Sequence, residues 1–410
     1  MHYPIIIIGG GAAGYFCAAN LDVQANTRIA ILEKGRESLT KVRVSGGGRC
    51  NVTHACFQNS KLLKNYPRGS KFLKKGFAEF SCADTVRWFE SRGVQTKTES
   101  DGRMFPVSDS SQSIIDCLQA SIVANVEYKH ATDVVSIFVK DAAGESRFSI
   151  QTKDGSQYTC AHLVIGTGSN VRVWNILEKL GHSIIKPVPS LFTFHIDDAR
   201  IKDLQGLSVP KASVRISGEK IVNEGPLLIT HWGQSGPAIL KLSAFGARVL
   251  ADKGYQFELE VNWVGRKQKV VAKELEDIID AHHGKVILRN AQFGIPSRLW
   301  ERLCVAANLQ DHMRYKNLNE KNKLKLLSQL CAARFQVTKK STFKEEFVTA
   351  GGVDTREVSP TSFESKIVPQ MYLAGEVLDI DAVTGGFNFQ AAWTGGYLIA
   401  QALNGLAASE

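Results

Sequence analysis

Gly9, Gly11 and Gly14 fit G-x-G-x-x-G between four isoleucines, Ile5–Ile8, and the small residues that follow at 12–21. Each glycine has its own steric task. The first makes a tight turn, the second lets a pyrophosphate touch the backbone, and the third lets helix and strand pack closely. Free N–H groups at the helix start (Ala12, Ala13), aided by the helix dipole, hold the diphosphate. A second strand, 28–32, ends on Glu33, nineteen residues past Gly14 and followed by Lys34. An acid at that spacing binds a ribose hydroxyl and repels a 2′-phosphate. The chemistry implied is adenine dinucleotide binding.

Further along, Ser45-Gly46-Gly47-Gly48-Arg49-Cys50-Asn51 forms a loop whose backbone can lie against a flat or anionic ligand. The strand-like run 162–165 leads into Gly166-Thr167-Gly168, which repeats the strand-into-glycine-turn logic of the N-terminus. Near the C-terminus, 371–381 contains Gly375, Glu376 and Asp381, and Gly386-Phe387-Asn388-Phe389-Gln390 opens a long apolar helix. An acid for the ribityl chain and a helix N-terminus for the N1/O2 end of a reduced isoalloxazine are what a flavin needs. Lys41 and Val134 complete the candidate cofactor set. Hydride transfer to an activated double bond also needs a proton donor, for which Cys50 and His231 are the candidates. A packing role for Cys50 and a hydrogen-bonded structural role for His231 are the alternatives.

These residues sit in a chain of 410 residues, long enough for two or three domains. A hydrophobic content of 44% and a charged content of 22% are those of a soluble globular protein. The uncharged start has no basic flank and is broken by glycines, so neither a signal peptide nor a membrane anchor is expected. Eight cysteines include no C-x-x-C pair, which argues against a zinc ribbon or a thioredoxin-like centre and fits reduced thiols in the cytoplasm. No metal is expected.

Coarse patterning gives a helix over 111–124, strands within 128–140, and a hairpin over 148–160 through Asp154-Gly155. From about residue 190 the texture changes. Strand-like alternation over 191–196, 212–216 and 255–261 surrounds Thr230-His231-Trp232-Gly233-Gln234-Ser235-Gly236-Pro237, and 265–335 reads as helices. The chain then returns through Phe347 and the glycines of 349–353. The expected fold is α/β, with a Rossmann-type FAD-binding domain interrupted by a β-rich plus helical insert. Its expected parts are 1–190, the first part of the FAD-binding domain; 191–265, the β-rich insert; 266–340, the helical part; and 341–410, the C-terminal part.

The net charge of +10 is uneven. Residues 38–78 contain no acid but nine cations, including Lys61, Lys64, Arg68, Lys71, Lys74 and Lys75, interleaved with Phe57, Tyr66, Phe72 and Phe77. A second basic stretch spans 314–344. A cofactor diphosphate carries only about two charges and cannot occupy nine cations, so RNA is the expected anionic partner; a solvated face is the alternative.

The glycine fingerprint, the Ser45–Asn51 loop, the His231–Pro237 run, 349–353 and 375–390 together resemble a family of bacterial flavoproteins. These have a glutathione-reductase-like FAD domain interrupted by an insert and are often described as NAD(P)/FAD-dependent oxidoreductases. The resemblance spans nearly the whole chain. It implies tightly bound FAD, no metal, and an insert facing the flavin. One departure is Gly375-Glu376, where the wider fold has Gly-Asp, which makes Asp381 a rival ribityl partner. Members of the family act on dissimilar substrates: small amines oxidised with oxygen, and a uridine of large-subunit ribosomal RNA reduced to dihydrouridine. With a single dinucleotide fingerprint, electrons come from NAD(P)H visiting the flavin, another reductant, or the substrate. An RNA-directed reductase and a small-molecule oxidase or reductase both remain open.

Overall fold

A computed structural model describes residues 1–22, 27–122, 125–140, 146–341 and 348–407. The chain divides into two compact units, 1–187 with 349–410, and 188–348.

The first unit is built on a five-stranded parallel sheet: β1 (Ile5–Ile8), β2 (Arg28–Leu32), β3 (Asn125–Lys129), β4 (His162–Ile165) and β5 (Met371–Leu373). Its spatial order is 3-2-1-4-5, the first five places of the doubly wound Rossmann order. The isoleucines of β1 are buried on both faces, as a central parallel strand requires. The strand order reverses between β1 and β4, and a crevice at such a switch point is where α/β sheets bind ligands.

Two helices pack together over this sheet. Helix α1 (Ala12–Ala18) follows β1, and α3 (Phe387–Ala407) closes the chain. A Cβ on Gly396 would lie 2.6 Å from the carbonyl oxygen of Ala13, so the backbones touch where only glycine fits. Between them in sequence, helix α2 (Ser70–Glu79) buries Phe72, Leu73, Gly76 and Phe77 and turns its remaining positions outward. No helix among the described residues is long and apolar enough to cross a membrane.

The second unit holds a seven-stranded sheet of antiparallel pairs, running from Ala333–Val337 at one edge to Lys339–Lys340 at the other. Helices Gln268–His282, Ser297–Ala306 and Glu320–Cys331 join its core around Trp263, Trp300 and Phe335. Thus 266–340, expected as helical, also supplies two strands. In Ala333–Val337 buried and exposed residues alternate, a period-two pattern that favours pairing with Phe257–Asn262 over another helical turn.

Smaller differences have local causes. The hairpin forms as Phe148–Thr152 and Gln157–Cys160. The helix expected to 124 is Ser111–Ala120; residues 123 and 124 lie outside the described residues, as do Phe347 and the end of the second basic stretch, 342–344. After Gly236 the chain forms two helices, Pro237–Phe245 and Ala247–Asp252, meeting at Gly246.

Candidate cofactor site

The three fingerprint glycines occupy distinct environments. Gly9 has φ +109°, and a Cβ there would lie 2.5 Å from the Gly166 carbonyl oxygen. A Cβ on Gly14 would strike the Gly9 carbonyl oxygen at 2.2 Å. Gly11, the N-cap of α1, differs: its backbone is extended, and the nearest protein atom to a Cβ is 3.9 Å away. Two glycines are thus required by the protein's own packing, while the third faces open space at a helix N-terminus.

Glu33 stands at the end of β2. Its two carboxylate oxygens accept hydrogen bonds from the backbone N–H groups of Gly10 and Gly35, each at 2.7 Å. Two fixed donors hold the carboxylate beside the glycine turn with acceptor capacity left for sugar hydroxyls. Lys34 is exposed.

Beyond β4, Gly166 abuts Gly14, whose N lies 3.2 Å from a Cβ on Gly166. Beyond β5, a Cβ on Gly375 (φ +78°) meets only that of Ala13, at 3.6 Å. The carboxyl ends of β1, β4 and β5 therefore converge on the start of α1. Glu376 and Lys41 form an ion pair of 2.5 Å, with both charged groups within 4 Å of a Cβ placed on Gly168. The Thr167 hydroxyl is buried without a hydrogen-bond partner among the described residues, and such a group calls for a ligand or water.

The Ser45–Asn51 loop is shaped by its glycines. The segment Thr40–Gly48 begins as a helix and breaks at Ser45 (ψ 149°), and Gly46, Gly47 and Gly48 all have positive φ. Nothing lies within 4 Å of a Cβ on Gly47 or Gly48, so this backbone is open to a flat ligand. Arg49 faces elsewhere: it pairs with Glu99 at 2.7 Å and lies over the Phe105 ring at 4.0 Å. That makes it a strut of the loop, contrary to its expected place on the cofactor. Asn51 is buried, and its amide, oriented to satisfy both ends, accepts from Gly386 N–H at 2.9 Å and donates to the Met104 and Thr53 carbonyls. It ties the loop to the start of α3.

That start is packed tightly. A Cβ on Gly386 would lie 2.6 Å from the Thr53 carbonyl oxygen. The Phe387 ring is buried and stacks on His54 at 4.6 Å. Asn388 clamps Ala382 through both of that residue's peptide groups, and Phe389 stacks on Trp393. His54, absent from the residues that the sequence singles out, borders Gly385; its position directly after the glycine loop was the available signal.

Five expected assignments are corrected by burial. Gln390 is fully buried, accepting from Thr53 and Thr85 and donating to Thr394, so its amide holds α3 and not a ligand. Asp381 is also fully buried and bound through both oxygens by Arg68. That pairing removes Asp381 as the rival ribityl acid and Arg68 as a phosphate contact. Val134, buried at 4%, lies in the small sheet Val134–Val139, Phe148–Thr152 and Gln157–Cys160, where its side chain serves packing. Cys50 is 0% exposed, and burial pushes its thiol up to about 12. A thiol so buried and so weakly acidic is unsuited to deliver a proton to substrate.

His231 belongs to the second unit. It is exposed, at the turn between Val222–Thr230 and Gly233–Ser235, beside a cavity of about 250 Å³ that it lines with Thr230, Asp197, Lys202 and Gln205.

The exposed cations lie in the first unit. Lys61, Lys64, Lys71, Lys74 and Lys75 are exposed. Of the interleaved aromatics Phe57 is exposed, but Tyr66, Phe72 and Phe77 are buried, Tyr66 donating to the Phe387 carbonyl at 2.6 Å and Phe72 packing on Phe363. The spacing of Phe72 and Phe77 follows the buried face of α2, which a window without a helical phase does not distinguish from a stacking surface.

The residues at the sheet's carboxyl edge fit an FAD. Gly11 and the α1 N-terminus would hold the pyrophosphate, Glu33 the adenosine ribose, and Thr167, Glu376 and the Gly46–Gly48 backbone the flavin half. Comparison with known proteins agrees with that architecture. The family profile "HI0933-like protein Rossmann domain" matches residues 3–402. The chain is 30% identical to the ribosomal RNA dihydrouridine synthase of Escherichia coli (strain K12), over 98% of each chain. It is 26% identical to the 3-dehydro-bile acid delta(4,6)-reductase of Clostridium scindens, over 97% of this chain and 98% of that one. Among solved structures it resembles the 3-ketosteroid delta1-dehydrogenase of Sterolibacterium denitrificans, with a TM-score of 0.51 at 11% identity over the full length of both chains; this shows a shared fold.

Proposed function

The chain belongs to the HI0933-like family of FAD-type Rossmann oxidoreductases, and from that premise we propose that it reduces a uridine of ribosomal RNA to dihydrouridine. The observation that carries the RNA reading is the outer face of α2. Lys71, Lys74 and Lys75 project from it, exposed and with no ion pair among the described residues, and Lys61 and Lys64 precede it. Unpaired lysines on one helix face suit a phosphate backbone, each acting as a mobile point charge. The dihydrouridine synthase named above is similar over nearly its whole length, which supports the same choice.

The C5=C6 bond of uracil is conjugated to a carbonyl, and its reduction takes one hydride and one proton. The hydride would come from a reduced flavin when one is bound, and NAD(P)H is the proposed visiting donor, since the chain has one dinucleotide fingerprint. The proton goes to the carbon that does not receive the hydride. A base must leave its stack to react, at a cost of roughly a few kcal/mol, and the lysines offset this by binding the surrounding backbone. A ribosomal substrate places the enzyme in the cytoplasm. Reduction of a small conjugated carbonyl compound is the second reading, favoured by the similarity to the bile acid reductase.

Two measurements test the proposal. Mass analysis of ribosomal RNA from a deletion strain is expected to show one dihydrouridine replaced by uridine; retention of every dihydrouridine would hand the assignment to the small-molecule reading. Neutralising Lys71, Lys74 and Lys75 together is expected to weaken RNA binding and to flatten its salt dependence, by about 0.7 in log–log slope for each phosphate left without its lysine. Flavin content should stay unchanged. Unaltered binding by that variant would make α2 a solvated face.

A further inference from the structure

We propose that Phe57 is a stacking platform for an unpaired RNA base, set beside the phosphates that Lys61 and Lys64 engage. This deepens the RNA reading and rests on it.

The acid-free window 38–78 carries four aromatic residues. Tyr66, Phe72 and Phe77 are at most 8% exposed, whereas Phe57 is 53% exposed. A single exposed phenylalanine is ordinary on a protein surface, so its setting has to carry the assignment. The backbone is held on both sides of it. Ala55 N–H donates to the Gly102 carbonyl at 2.8 Å, and the Gln58 carbonyl accepts from the N–H groups of Lys61 and Leu62, each at 2.9 Å. The Asn59 amide donates to the Phe77 carbonyl at 2.6 Å. A residue whose backbone is already fixed loses little further freedom when a ligand covers its ring.

The charges around it select the class of ligand. Lys61 and Lys64 follow on the same short helical stretch and are exposed. Burial raises the Cys56 thiol and the Lys61 charge acts against that rise, which places the ammonium near the residue that precedes Phe57. The acids of the adjoining hairpin, Glu99 and Asp101, are already paired with Arg49 and Arg103. An aromatic face beside cations is how proteins take unstacked bases along a phosphate backbone.

The same segment leads to the cofactor site. His54, three residues before Phe57, stacks on Phe387 at 4.6 Å and lies 3.3 Å from a Cβ on Gly385. Asn51 ties that start of α3 to the Gly46–Gly48 loop. Three residues of chain span at most about 11 Å, so a base on Phe57 would be a near neighbour of the one that reacts. Phe57 thereby holds a nucleotide flanking the target uridine and keeps the opened strand from restacking.

The test uses the FAD-loaded enzyme, a labelled single-stranded oligouridylate, and an abasic oligonucleotide of equal length as the control probe. Phe57→Ala is expected to raise the Kd for oligouridylate about tenfold. Phe57→Trp, which keeps an aromatic face, should stay within about threefold of wild type. The log–log salt slope should not move, because stacking releases no counterions. The abasic probe should bind wild type and Phe57→Ala alike, with equal flavin content. Equal binding of oligouridylate by wild type and Phe57→Ala overturns the proposal and leaves the lysine-based RNA reading intact. An equal loss on the abasic probe overturns it too, since the ring would then support the fold and not a base. Wild-type enzyme that binds neither probe also overturns it, and the ribosomal RNA of the deletion strain then decides the RNA reading separately.

Discussion

Replacing Gly11 by valine is expected to give a folded but colourless protein. Gly11 has an extended backbone that valine adopts without strain, and the nearest protein atom to its Cβ is 3.9 Å away. The volume that the isopropyl group takes is the space directly before the first turn of α1, where a pyrophosphate must approach the backbone amides. FAD released on denaturation should fall from stoichiometric to background, while circular dichroism and melting remain close to wild type. The same change at Gly14 should behave differently. There the added carbon meets the Gly9 carbonyl oxygen at 2.2 Å, so Gly14→Val loses soluble protein and not merely colour. A Gly11→Val protein retaining a full complement of FAD would remove the pyrophosphate from this turn.

The second large effect is one of stability. Arg68→Ala should destabilise the protein by about 3–5 kcal/mol, because it leaves a buried carboxylate without its counter-charge. The Arg68 side chain is 10% exposed and that of Asp381 is 0%, and the guanidinium grips both carboxylate oxygens. The two residues also form a backbone bridge, which ties the segment before α2 to the loop before α3. Melting should fall on the order of 10 °C. Replacing both partners by apolar residues of similar size, Arg68→Met with Asp381→Leu, should recover most of that loss, since neither charge is then buried. A salt titration of RNA binding separates this role from phosphate contact: Arg68→Ala should leave the slope unchanged, in contrast to the lysine triple variant. A melting temperature within a degree or two of wild type would show that water reaches Asp381 and solvates it.

The amino-acid sequence by itself determined the strand, glycine turn and acid that open the parallel sheet. Ile5–Ile8, the glycines and Glu33 act over short distances, so their types and spacing specify a buried strand, a tight turn and an acid at the next strand end. The two-part construction was legible for a similar reason, since a change from helix-and-strand alternation to antiparallel patterning is a local property of the chain. What only the tertiary structure decided was which polar groups remain available to a ligand. Arg68 and Asp381 are 313 residues apart, and Gln390 meets Thr53 and Thr85 across more than 300. Nothing local distinguishes a carboxylate or amide saturated by such a partner from one that is free to bind. The basic window shows the same limit at shorter range: its cations and aromatics share one composition, and only the packing of α2 turns Lys71, Lys74 and Lys75 outward while Phe72 and Phe77 go in. Cys50 follows the same physics, its motif marking reactive chemistry until burial raises the thiol beyond use.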